Sequence, residues 1–179
     1  DEGENLQYIR FWGQNRNRIT VQLVDGAFGA TQKPVFSFVK GILNSLETKN
    51  SMRGITVNTG RNNSGATAIN LAGANGNYLT QVNVVSGDGQ GKAGFRINGV
   101  SQFLITDVTV DGFDVAFSSD YVRATHTVLE HVTVKNQNTA GITVGQSAHT
   151  IRDLLSDNGV PAIKMTDGGA FISIHNSNL

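Results

Sequence analysis

An all-β chain wound as a right-handed parallel β-helix, a solenoid of stacked laps, is what the sequence predicts, and three observations carry the prediction. One short phrase recurs five times: Ile55-Thr56-Val57, Val82-Asn83-Val84, Val108-Thr109-Val110, Val132-Thr133-Val134 and the degenerate Leu154-Leu155-Ser156. The copies begin 27, 26, 24 and 22 residues apart. A supersecondary unit repeated at nearly constant spacing cannot bury its own apolar residues and must stack on its neighbours. Within each copy, apolar residues alternate with Thr, Asn, Ser or Arg at period two, the pattern of a strand with one face inward. Composition agrees, because 21 glycines, 2 prolines and few charges suit short strands joined by tight turns better than helices.

Taken in order, residues 1–50 are the less regular part. Segments 6–11, 19–24 and 35–39 read as strands, and 38–46 as a short helical turn. Residues 51–179 hold the regular rungs. Each phrase after the first follows an apolar residue three positions earlier (Leu79, Ile105, Leu129, Ile151). Each is followed by an apolar pair two apart: Ile69/Leu71, Phe95/Ile97, Val115/Phe117, Ile142/Val144 and Ile163/Met165. Stacked strands lie about 4.8 Å apart, so equivalent residues form columns. Val57, Val84, Val110, Val134 and Ile174 are expected as an inward aliphatic column that Ser156 interrupts. Asn136, Asn158 and Asn176 are expected as an asparagine column at a bend, bonding side-chain amide to backbone. The chain opens on an acidic pentapeptide with no amphipathic cap and stops partway through a turn. Truncation at both ends is therefore expected.

The whole of 1–179 reads as one domain, since halving it would leave two marginal cores. Lys plus Arg equals Asp plus Glu at 14 each, so no net positive field draws the chain to nucleic acid. No apolar run approaches a membrane span. With no cysteine, disulfides, thiolate catalysis and cysteine metal sites are excluded. Two motif matches are set aside. Gly89-Gln90-Gly91-Lys92-Ala93-Gly94 fits a dinucleotide fingerprint but opens a period-two run instead of a helix. Asn62-Asn63-Ser64 fits a glycosylation acceptor and carries no fold information.

Several stretches carry a resemblance: Gly13-Gln14-Asn15-Arg16, Lys33-Pro34-Val35, 54–60, 86–91, 110–114 and Lys135-Asn136-Gln137. With these the chain resembles bacterial proteins of the pectate-lyase-like β-helix superfamily, in particular those related to glycoside hydrolase family twenty-eight. The resemblance implies a right-handed β-helix, an exported, extracellular protein and carbohydrate as the substrate class. The Asn-Thr-Asp, Gly-Asp-Asp, Gly-His-Gly and Arg-Ile-Lys segments of polygalacturonases are absent, so no catalytic residue is carried over from it.

Candidate catalytic residues come from loop lengths instead. Between the two strand phrases the chain spends 12, 11, 5, 8 and 7 residues. This predicts a dip at 111–114 beside a wall formed by 58–68 and 85–94. Glycan chains bind along such grooves. Asp111 and Asp114 fall at the low point and Asp88 in the wall, which allows pairs roughly 5–9 Å apart, spanning retaining and inverting carboxylate geometry. Each is also an ordinary turn residue next to or near glycine. Lys92, Lys135 and Lys164 flank the strip and are candidates for holding sugar carboxylates, or for the base of a lyase. Loop 118–127 offers Arg123, and Tyr121 for stacking on a sugar face. A column of Gln81, Asp107, His131 and Asp153 precedes each strand phrase, either an exposed polar ladder or an acid/base pair with half a metal site. No metal and no cofactor is expected.

The expected function is thus a polysaccharide-degrading glycoside hydrolase using Asp114, Asp111 and Asp88 on a glycan bound with help from Lys92, Lys135, Tyr121 and Arg123. The alternatives are a polysaccharide lyase and a non-catalytic glycan-binding, adhesin or tailspike β-helix.

Overall fold

The computed structural model describes residues 8–38, 48–119 and 124–179. The helical turn expected over 38–46, and the candidates Tyr121 and Arg123, lie outside the described residues or, for Phe38, at their edge. Twelve strands follow one another: β1 (Arg10–Trp12), β2 (Thr20–Gln22), β3 (Lys33–Ser37), β4 (Ser51–Asn58), β5 (Ala66–Val85), β6 (Ala93–Asp111), β7 (Val115–Ser119), β8 (Ala124–Lys135), β9 (Ala140–Val144), β10 (Ser147–Asp157), β11 (Ile163–Met165) and β12 (Phe171–His175). All of their pairings are parallel. The result is a right-handed parallel β-solenoid, the hand that parallel crossovers take almost without exception. Among the described residues no helix is long and apolar enough to cross a membrane.

The long strands bend as they go, and three faces result. Face 1 stacks β3, the start of β5, the start of β6, β7, β9 and β11. Face 2 stacks β1, the start of β4, the middle of β5 and β6, the start of β8 and β10, and β12. Face 3 stacks β2 and the ends of β4, β5, β6, β8 and β10. Strands β1, β2 and β3 from the less regular first 50 residues are therefore rungs in register with the later ones.

The core is a set of columns, because each inward residue meets its equivalent one lap away. Val57, Val84, Val110 and Val134 stack on face 3 and are fully buried. Ser156 follows Val134, as expected. Ile174 does not belong to that column: it pairs with Ile151 and so ends the face 2 column of Met52, Leu79, Ile105 and Leu129. The reason is a change of phase after 157, where the last lap supplies a face 2 strand and only an isolated bridge, Leu155 to Asn178, on face 3.

A second correction concerns β7. Phe95 pairs with Phe117 and Ala93 with Val115, so the apolar pair Val115/Phe117 sits two residues out of step with Phe95/Ile97. The two phenyl rings stack at 4.8 Å with 4° between planes, an arrangement worth about 0.5–1.5 kcal/mol beyond its area burial. Aromatic stacking sets this register, and it moves buried Ser119 into the place that Ile97 occupies one lap earlier.

Candidate functional site

Face 1 carries a groove of about 390 Å³ that crosses several laps. Its floor is built by the residues between inward apolar ones. Asn70, Arg96, Ser118 and Thr143 stack in register, with Ser37 before and Lys164 after them. Lys33 and Lys92 stand at its margins, with Gln32, Thr67, Asn98 and Thr139 completing the polar lining. Among the described residues that line it there are three cations, Lys33, Lys92 and Arg96, and no carboxylate. Arg96 is exposed and forms no ion pair among the described residues. The floor's polar residues were not singled out from sequence, although a signal was there: Asn70, Arg96 and Thr143 each lie between two apolar strand residues. What hid Ser118 was the two-residue slip at Phe117.

The wall is real but the dip is shallower than expected. Connections 59–65 and 86–92 are long, whereas 112–114, 136–139 and 158–162 are all short. With Phe117 as the true equivalent of Phe95, lap 112–114 is only marginally the lowest of three low corners.

The predicted acids sit around these corners. Asp88 accepts hydrogen bonds from the Asn62 amide at 2.8 Å, the Gln90 amide at 3.1 Å and the Ser86 hydroxyl at 3.3 Å. The Asn62 amide above all holds its carboxyl below the usual range, against a smaller opposing effect of burial. Asp111 takes a 3.1 Å ion pair from Lys135 and a 2.7 Å hydrogen bond from the Asn136 amide. Asp114 faces Lys92 at 3.4 Å. None of the three is among the residues lining the groove, and only Asp114 borders it, through Lys92. Lys135 points to Asp111 on the far side of the corner, while Lys164 continues the floor column one rung past Thr143.

The asparagine column divides. Asn158 bonds backbone as expected, accepting from the Gln137 amide at 2.8 Å and donating to the Val134 carbonyl at 3.2 Å. Asn136 spends its amide on Asp111 instead. Asn176, with φ 48°, follows His175, which pairs with Arg152, so it falls in step with Asp153 and joins a different column.

That column is the one of Gln81, Asp107, His131 and Asp153. Gly54 and all four of these, with Asn176, have left-handed backbone, at φ 65°, 54°, 54°, 50°, 51° and 48°. Each is a one-residue corner that turns face 2 into face 3. A left-handed residue interrupts the alternation of a strand, so its side chain and the one before it both point outward. His131 and Asp153 consequently pair at 3.3 Å, and Asp107 is held by Arg16 at 3.0 Å. Glu130, His131 and Asp153 each bring one ligand-type atom within 4.8 Å of the others, on an exposed edge where Arg152 also reaches Glu130 at 3.9 Å. The column is accounted for by backbone geometry, with these three as the group of metal-ligating residue types among the described residues.

Fold and surface together define a parallel β-solenoid with a cation-lined polar groove on one flat face. Comparison with known proteins brings no match: no family model, no curated protein and no solved structure is similar to this chain.

Proposed function

We propose that the chain binds an acidic polysaccharide along face 1. One observation carries the reading: the groove has a hydrogen-bonding floor repeated from lap to lap, holds Arg96 in that floor and Lys33 and Lys92 at its margins, and has no carboxylate among its described lining residues. Rungs about 4.8 Å apart match a ligand that is itself a repeat. Arginine offers a planar fork to a sugar carboxylate, and lysine a point charge. The resemblance to pectate-lyase-like β-helix proteins related to glycoside hydrolase family twenty-eight supports carbohydrate as the ligand class and an exported protein. Direct binding to polygalacturonate, alginate and a neutral glucan, measured by affinity electrophoresis, tests it. The acidic polymers should bind, and Lys33→Ala, Lys92→Ala and Arg96→Ala combined should weaken binding at least tenfold. Equal retention of neutral and acidic polymers, or no effect of the triple variant, would overturn it.

A second reading, glycan hydrolysis, is favoured by Asp114, whose contact with Lys92 puts a carboxylate at the groove's edge. General acid catalysis contributes typically 10²–10⁴-fold, so Asp114→Asn should remove essentially all release of reducing sugar. Asp111→Asn and Asp88→Asn, whose carboxylates do not border the groove, should reduce it less. Product absorbing in the near ultraviolet as an unsaturated sugar would point to a lyase instead.

A further inference from the structure

His149 is a titratable side chain sealed inside the solenoid, 3% exposed and not among the residues that line the groove. It stands in an inward face 2 column that runs Asn77, Phe103, Thr127, His149 and Ile172. Its Nε2 lies 2.8 Å from the Ser147 hydroxyl and 3.1 Å from the Ser119 hydroxyl, and those two hydroxyls are 3.1 Å apart. All three residues are buried. Its other nitrogen, Nδ1, has no hydrogen-bond partner among the described residues, and neither has the buried Thr127 hydroxyl one rung away.

A neutral imidazole carries one N–H and one lone pair. A buried orphan N–H is rarer than an orphan acceptor, so the fitting tautomer has its proton on Nε2, donated into the serine pair, and a bare lone pair on Nδ1. Protonation would put an N–H on Nδ1, which has no hydrogen-bond partner among the described residues, and a charge in the sealed interior. Desolvation holds the imidazole down at about 4, with the positive field of His126 adding to it. His126 is the titratable group that β8 brings near, itself bonded to the Thr150 hydroxyl at 3.1 Å. From β8 Thr127 and from β12 Ile172 face His149 in register, and from β7 Ser119 reaches it through its hydroxyl.

We propose that Ser119, Ser147 and His149 form an acid-sensitive latch, which when protonated lets β10 and the lap beyond it peel away from β8 while the laps from β4 to β8 stay closed. Opening is local because the cluster joins β7 to β10, with Ser119 on the one and Ser147 and His149 on the other, and none of its three groups stands on β5 or β6. Opening β10 uncovers its own buried Ile151 and Leu154, whereas hydrating His149 from the other side would open the sealed middle laps as well. The sign is fixed by the direction of the shift. The folded protein binds this proton less readily than the unfolded chain, so the latch is fully closed above 6.5, and its stabilisation is lost as pH falls from there toward about 4.

Hydrogen exchange of the full chain, corrected for intrinsic rates and compared at neutral pH and within that window, is the test. Amides of β10 and β12 should lose protection at least tenfold while those of β5 and β6 hold theirs. His149→Leu, which suits a column holding Phe103 and Ile172, should abolish the pH-dependent loss, and His126→Ala should leave it in place. Unchanged protection in β10, simultaneous loss in all strands, loss that persists in His149→Leu, or loss abolished by His126→Ala would each overturn the latch. Should His149→Leu fail to fold, the imidazole titration of the wild-type chain decides by NMR: an ordinary titration near 6.5 overturns it, and a depressed one accompanied by β10 line broadening supports it.

Discussion

Val110 and Ile163 occupy inward positions of the same solenoid, yet one is sealed and the other half open. Neither side-chain size nor strand propensity separates them. Val110 has Val84 on one side and Val134 on the other. Ile163 has Ile142 on one side and, among the described strands, no rung beyond it. In a solenoid a residue is buried by its neighbours in the column, so local stability is set by position along the axis more than by local sequence. Among the described strands the middle laps, which carry the groove, are covered on both sides, and β11 on one.

That contrast is broken most severely by removing a ring. Phe95 is fully buried and stacked on Phe117. Phe95→Ala should cost about 3–5 kcal/mol, the usual range for an aromatic cavity. Ile172→Ala, half-buried in β12, should cost roughly 1 kcal/mol, since only part of its side chain leaves water on folding. Urea unfolding of both variants measures this, and comparable losses would show that the last lap is as tightly held as the middle.

Two glycines sharpen the same comparison at smaller scale. A methyl group at Gly94 would meet the Val110 Cγ1 at 2.5 Å and the Ala116 carbonyl oxygen at 2.8 Å, because the position packs directly against the valine column. Gly94→Ala should therefore destabilise by about 1–3 kcal/mol through overpacking. Gly159, in the connection to β11, has open space around it and no left-handed backbone. Gly159→Ala should be neutral or stabilise by about 0.4–1 kcal/mol by restricting the unfolded chain. Thermal denaturation should separate the two in sign.

The middle laps were also where the sequence was most legible. The phrases from Ile55 to Val134 stack in the register that their spacing implies, because alternation and repeat agree there. Legibility failed wherever a column changed phase. The Phe95–Phe117 stack outweighed the simple match of apolar pairs, and the last lap dropped its regular face 3 strand, which misassigned Ile174 and Asn176. The groove was expected at the 111–114 corner beside the long loops and instead runs along face 1, since polar residues between apolar ones read as ordinary outward positions until stacking brings Asn70, Arg96, Ser118 and Thr143 together. Neither could the latch be read from sequence, because His149 and Ser119 are 30 residues apart and a strand pattern says nothing of which inward polar residues meet.

The smallest expected effect lies at the corner between faces 2 and 3, where the column position is Gly in one lap and Gln, Asp, His, Asp and Asn in the others. Left-handed backbone disfavours ordinary L-residues by roughly 1–2 kcal/mol, glycine and asparagine least of all. Gln81 is the residue least suited to it, and its side chain only accepts a 3.3 Å bond from exposed Arg53. Gln81→Asn relieves strain without the entropy loss that glycine carries, so it should raise stability by about 0.5 kcal/mol. Asp107→Asn relieves little strain, because aspartate itself tolerates this backbone, and it removes the charge facing Arg16, a part-exposed pair worth roughly 0–1 kcal/mol, so it should gain nothing. A precise urea midpoint for each variant separates backbone strain from side-chain pairing: equal gains in both would mean that the Arg16 ion pair contributes nothing to holding the loop between β1 and β2 against the corner.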